Sequence, residues 1–267
     1  MKAIIGLDAG HGGSSSGTYS CNTTKDGLFE RDFTLDMAFL LEERLLKNGF
    51  GVIMSRRADV DPGNVSQRAQ KMIDQKADFA LSIHFNGFGT TTANGTEVFV
   101  PHEEKLAGIE AGFHKVLGKY FRRRAPFARS NSFYDRNKTF DKKLNVSTRR
   151  FEAVSSEKDY FGFVRTCWAG GVSADLLEIC FLTNPADFKA YIENREEIAD
   201  GLARSIVEAF GEEYVGLHTY IPEEPEKEPE PEVPEQKEPE KEKEPVIKPI
   251  LYPKIRNRNK NRIDMVK

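Results

Sequence analysis

A chain of 267 residues, 39% hydrophobic and 30% charged, is long enough to bury a sizeable core and fits a soluble globular protein with a charged appendage. No apolar run approaches the roughly 20 residues of a membrane span, which excludes a transmembrane helix and membrane insertion. The formal net charge of -3 hides a segregation: Pro222 to Pro245 is mostly Pro, Glu and Lys, while Val246 to Lys267 is basic apart from Asp264. Cys21, Cys167 and Cys180 form no Cys-x-x-Cys pair and read as three reduced thiols, with Cys180 in or beside a strand.

In chain order, Ala3 to Gly13 opens with a short isoleucine-rich run that predicts a buried strand, followed by glycines that let the backbone turn and present His11 in a loop. Only Lys2 precedes this run, which is too short for the apolar part of a secretory signal, so the sequence predicts synthesis in the cytoplasm without an ordinary export signal. Phe33, Met37, Leu40, Leu41 and Leu45 recur at helical spacing between Glu30 and the stop at Asn48-Gly49. Gly51 to Ser55 predicts a second strand, and Asn64 with Gln67 a capping box opening a helix through Ala69, Met72 and Ile73. Asp78 to Phe85 then predicts a buried strand that delivers His84 at its end.

Gly95 to Pro101 predicts a strand, and Leu106 to Tyr120 a third helix. Arg122 to Asp159 is polar, basic and aromatic without periodicity, and reads as an ordered insertion or a lid. Phe161 to Cys167 and Ser173 to Cys180 are expected to be two more strands, the second carrying Glu178 among Leu176, Leu177, Ile179 and Phe181. Thr183-Asn184-Pro185 breaks the run before a closing helix with Ile198, Leu202, Ile206 and Phe210. Alternating strands and helices imply an α/β fold: one domain with a mostly parallel central β-sheet flanked by helices, similar to phosphorylase/hydrolase folds. Residues 1–215 are expected to form this domain, 216–245 an extended Pro/Glu/Lys linker, and 246–267 a short basic tail.

In that topology His11 and His84 end two strands, and Glu30 heads the helix after the first. Two neutral imidazoles and a carboxylate are a known ligand set for catalytic zinc, with the fourth position left for water. A second acid would then be needed to move the water proton, and Glu178 suits that role, because an acid in an apolar strand is costly unless something uses or pairs it. The blander readings are that Glu30 favours a helix amino terminus and that Glu178 pairs with a buried cation. His102, His114 and His218 match no motif and read as surface or packing residues. Gly10 to Gly17 lacks the spacing of either phosphate-binding glycine motif.

The segments Asp8-Ala9-Gly10-His11-Gly12-Gly13, Glu30, Ser82-Ile83-His84-Phe85-Asn86 and Leu177-Glu178-Ile179-Cys180-Phe181-Leu182-Thr183-Asn184 together resemble the zinc-dependent N-acetylmuramoyl-L-alanine amidases of the Amidase_3 type. Arg56 and Arg68 also fall where that family tends to have arginines, and the resemblance covers about Lys2 to Phe210. It implies one zinc ion held by His11, Glu30 and His84. It also implies Glu178 as general base and acid in cleaving the amide between N-acetylmuramic acid and L-alanine of peptidoglycan. The insertion departs from the family, being longer and more basic than the usual connection.

Positive charge in the insertion is expected to meet anionic cell-wall polymers or the acidic stem peptide, and the basic tail reads either as a hold on the polyanionic wall or as a disordered end; no nucleic-acid motif accompanies this charge, so no nucleic-acid partner is expected. A wall hydrolase without an export signal resembles phage endolysins, with a mother-cell autolysin as the second reading. It would act at the bacterial wall after release from the cytoplasm, in cell lysis. A zinc peptidase cutting the stem peptide and a non-catalytic wall-binding module are the alternatives to the amidase.

Overall fold

The computed structural model describes residues 2–100, 109–123 and 161–217, together with the backbone of two strands at 142–145 and 150–153. Its elements run β1 (Ile4–Ala9), α1 (Thr23–Asp26), α2 (Glu30–Lys47), β2 (Gly51–Met54), α3 (Val65–Asp74), β3 (Phe79–Asn86), β4 (Glu97–Phe99) and α4 (Ile109–Leu117). They continue with β5 (Lys142–Asn145), β6 (Arg150–Ala153), α5 (Gly162–Ala169), β7 (Ser173–Phe181) and α6 (Pro185–Ala209).

The central sheet has the order β2-β1-β3-β7-β4. Its first four strands are parallel, and β4 closes the edge antiparallel to β7. A parallel sheet needs cover on both faces, and the sequence supplies it. On one face Phe33 and Tyr191 meet Phe85 edge-on, and Phe113 lies over Phe79, so α2, α6 and α4 form that layer. On the other, Ala69 and Met72 of α3 and Phe163 and Cys167 of α5 pack over Ile53, Ala80 and Ala174. Small residues at those strand positions let the helices approach closely.

Local chemistry sets the helix ends. At α3, Asn64 Oδ1 accepts from Gln67 N at 3.0 Å and Gln67 Oε1 accepts from Asn64 N at 2.9 Å, the reciprocal box expected from the sequence. Asn184 Oδ1 accepts from the amides of Ala186 and Asp187, and Pro185 occupies the first turn of α6. Arg44, 2% exposed, ties α2 to α6 through Glu196 and Asp200. Asp187 Oδ2 accepts from Gly95 N at 2.7 Å and Phe181 N at 3.1 Å, joining the entry of β4 to the exit of β7.

One expectation fails here. Phe161 to Cys167, expected as a strand, is the helix α5. Its buried residues Phe163, Val164 and Cys167 fall on one helical face and fill the space beside α3, a pattern that a short apolar run does not separate from a strand. Within the insertion, β5 and β6 pair as an antiparallel ribbon. The remainder of it, at 124–141, 146–149 and 154–160, lies outside the described residues, as do His102, His218, and the linker and tail from 218 onward.

Candidate metal centre

The carboxyl end of β1 is where the site begins. Gly10 N continues the ladder onto Ile83 O at 3.0 Å, and His11 then turns into the left-handed region with φ 62°. A residue other than glycine pays roughly 1–2 kcal/mol for that conformation, so the surroundings must hold it. They do so from three sides. Gly12 and Ser15 exchange backbone hydrogen bonds at 2.8 and 3.0 Å. Thr34 Oγ1 donates to Gly10 O at 2.6 Å. The buried Arg56 donates from Nε to Ala9 O and from Nη2 to Gly10 O, both at 3.1 Å. Burial pushes the Arg56 guanidinium down to about 10, against the opposing pull of Asp59 and Asp8.

With the loop fixed, the His11 ring is set by Ser15: its Nδ1 lies 3.0 Å from Ser15 Oγ, which turns Nε2 to within 3.1 Å of Glu30 Oε1. Glu30 is the first residue of α2 and 4% exposed. Its Oε1 also lies 2.9 Å from His84 Nδ1 and accepts from Phe85 N at 3.1 Å, while Oε2 accepts from Thr18 N at 2.9 Å. Burial alone would raise this carboxyl. Hydrogen bonds to His11 and His84 outweigh it and hold the group well below the usual carboxylate range.

The two imidazoles meet edge to face, centroids 5.0 Å apart at 80°. One donor atom from each of His11, Glu30 and His84 lies within 4.8 Å of the others, the group among the described residues able to hold a metal ion. Two nitrogens and one ionised oxygen, with His11 steadied by Ser15 and Glu30 by the amides of Thr18 and Phe85, suit zinc. The backbone leaves space for these rings at two glycines. A Cβ at Gly17, whose φ is +70°, would fall 2.5 Å from Glu30 Oε2 and 2.8 Å from His11 Cδ2.

Glu178 pairs in register with His84 across the β3–β7 ladder, so both side chains leave the same face of the sheet. That face opens into a cleft of about 540 Å³ lined by His11, His84 and Glu178 on the chemical side and by Val65, Phe163 and Leu176 on the apolar side. Of the four residues singled out in the sequence, His11, His84 and Glu178 line this cleft, and the buried Glu30 meets it through its contacts to the two imidazoles. Sequence reading matched Arg56 and Arg68 to a pattern without assigning them a task, and it missed Ser15, Thr18 and Thr34. A hydroxyl or backbone amide that orients a ligand carries no spacing signal of its own. His114 is buried on α4, away from this group.

A doubly covered parallel sheet that gathers two imidazoles and a carboxylate at the carboxyl ends of its strands, with an acid facing the same cleft, has the build of a hydrolytic enzyme. The chain belongs to the N-acetylmuramoyl-L-alanine amidase family Amidase_3, whose model matches residues 5–208. Over 106 residues it is 39% identical to the probable cell wall amidase LytH of Staphylococcus aureus, a match covering 40% of this chain and 33% of that protein. The matched region thus spans about a third of that curated relative. The fold is similar to the catalytic domain of CwlV, an N-acetylmuramoyl-L-alanine amidase from Bacillus (Paenibacillus) polymyxa, with TM-score 0.52, 24% identity, and coverage of 78% of this chain and 98% of that one. It is also similar to the amidase AmiC2 of Nostoc punctiforme, with TM-score 0.58, 19% identity, and coverage of 79% and 98%.

Proposed function

We propose that the chain hydrolyses the amide between the lactyl group of N-acetylmuramic acid and L-alanine in peptidoglycan, with His11, Glu30 and His84 holding one zinc ion and Glu178 moving the proton. The observation that supports this reading is the register pairing of Glu178 with His84, both lining one cleft with His11, while Glu30 contacts both imidazoles. Zinc, when bound, supplies a Lewis acid that acidifies water and polarises a carbonyl.

This chain's residues do the rest. Glu178 accepts the proton of the attacking water as the new carbon–oxygen bond forms at the lactyl carbonyl, then returns it to the alanine nitrogen as the carbon–nitrogen bond breaks. The products are a free lactyl carboxyl and a free L-alanine amine, so atoms and charge balance. Ser15 and Thr18 hold the His11 ring and the Glu30 carboxylate in place throughout. The basic charge of 246–267 would hold the protein to polyanionic wall polymers, a salt-sensitive attraction. Deleting those residues is expected to reduce wall retention and to leave turnover of soluble fragments intact.

The deciding experiment is digestion of purified peptidoglycan by wild type and Glu178→Gln, with zinc content measured on both and products analysed for new amino termini. The proposal expects free L-alanine amines from wild type, and a variant that keeps its zinc but loses at least a hundredfold in rate. New termini within the stem would move the reading to a peptidase. Absence of both zinc and activity from wild type would leave the wall-binding reading in its place.

A further inference from the structure

Arg68 is not accounted for by the metal centre. It lies on α3, is 7% exposed, and lines the cleft one step inward from His84. Both side-chain hydrogen bonds it makes among the described residues run from Nη1, to Asp8 Oδ1 at 2.8 Å and Oδ2 at 2.9 Å. Asp8 is fully buried and also accepts from Ser82 Oγ at 2.8 Å, so the carboxylate fixes the guanidinium to the floor of the cleft. Arg68 Nε is buried without an acceptor, Nη2 makes no hydrogen bond among the described residues, and the side chain lines the cleft.

We infer that Arg68 reads the 2-acetamido group of the muramic acid ring, its Nη2 donating to the acetamido carbonyl while the methyl rests on the apolar wall of Val65, Phe163 and Leu176. The inference rests on the amidase reading above. Two features favour a neutral carbonyl over a carboxylate. Asp8 already balances the charge of Arg68, and Asp61 and Glu178 line the same cleft, so the floor offers no surplus positive charge. The apolar wall also suits a methyl group better than a solvated anion. Distance is consistent as well. Asp8 pairs with Ser82, and same-face residues on a strand are about 7 Å apart, so the carboxylate that anchors Arg68 lies in register one pleat from His84. The acetamido group sits on the ring carbon next to the one that carries the lactyl ether, a comparable span from the scissile amide.

The test measures binding by calorimetry in the Glu178→Gln background, with zinc present. The ligands are N-acetylmuramoyl-L-alanine and its neutral analogue bearing a hydroxyl in place of the acetamido group. The acetamido ligand is expected to bind about tenfold more tightly, which is about 1.4 kcal/mol. Adding Arg68→Lys, which retains a cation for Asp8, is expected to remove that preference while leaving the affinity for the hydroxyl analogue unchanged. Equal binding of the two ligands by the Arg68 protein overturns the inference, and this comparison stands even if the lysine variant fails to fold. An equal loss on both ligands assigns Arg68 a purely structural role. An Arg68 effect that follows a free stem carboxylate, measured with a dipeptide ligand, overturns the acetamido assignment in favour of an anion site. Because binding needs no turnover, acetamido preference without L-alanine release by wild type refutes the amidase and keeps the subsite. Hydrolysis without the preference does the reverse.

Discussion

Gly10 leaves His84 its place: a Cβ at position 10 would fall 2.4 Å from His84 Cε1 and 2.7 Å from both ring nitrogens. Contacts this short force the ring to move, and a metal site tolerates little displacement of a donor. Gly10→Ala is expected to weaken zinc binding 10- to 100-fold, with a smaller effect on the fold. Competition against a chromophoric chelator and far-ultraviolet circular dichroism on the same sample check both parts.

Zinc that binds the folded chain and not the unfolded one raises stability by mass action, about 4 kcal/mol at a thousandfold excess over Kd. Thermal melting with and without zinc should therefore show a clear rise in Tm for wild type. Glu30→Gln is expected to abolish the rise, since the amide offers a neutral oxygen where the proposal needs an ionised one. An unchanged zinc-dependent shift in that variant would count against Glu30 as a ligand.

Asp187 carries two buried amides on one oxygen, those of Gly95 and Phe181. Asp187→Ala strands both donors, at about 1–3 kcal/mol for each buried group left unsatisfied. Urea titration is expected to show a loss in the range of 2–5 kcal/mol, with Cm falling and the m value unchanged. Because β7 also carries Glu178, activity at a temperature where the variant remains folded should fall as well.

His114 is 3% exposed, and burial pushes its imidazole down to about 4, with Arg123 adding to the effect. In the unfolded chain the same group titrates near 6.5. Between these values the unfolded chain binds more protons, so stability is fully present above about pH 6.5, is lost as pH falls, and levels off below about pH 4. The full loss is on the order of 3 kcal/mol. His114→Leu should flatten this limb of the stability–pH curve, measured by urea titration between pH 7 and pH 4.

Much of this was legible because the chemistry sits where the periodicity changes. Isoleucine-rich and leucine-rich runs marked β1, β3 and β7, and His11, His84 and Glu178 fall in or just beyond those runs. Helix α2 announced itself through Phe33, Met37, Leu41 and Leu45, and Glu30 at its head followed. What failed was the segment around Phe163. Eight helical residues with three buried apolar side chains carry too little pattern to distinguish a helix from a strand, and only the groove beside α3 decides. The antiparallel direction of β4 and the pairing of Asp8 with Arg68 were also hidden, because each depends on contacts far apart in the chain.

The order of elements along the chain divides the candidate site between its two halves. All three candidate metal donors lie at or before residue 84, on the loop after β1, on α2 and on β3, whereas Glu178 arrives on β7 after the basic connection. That connection leaves the sheet after Thr96 bridges Arg123 and re-enters it through α5. The candidate donors are thus complete before that connection begins, and the acid in register with His84 follows it.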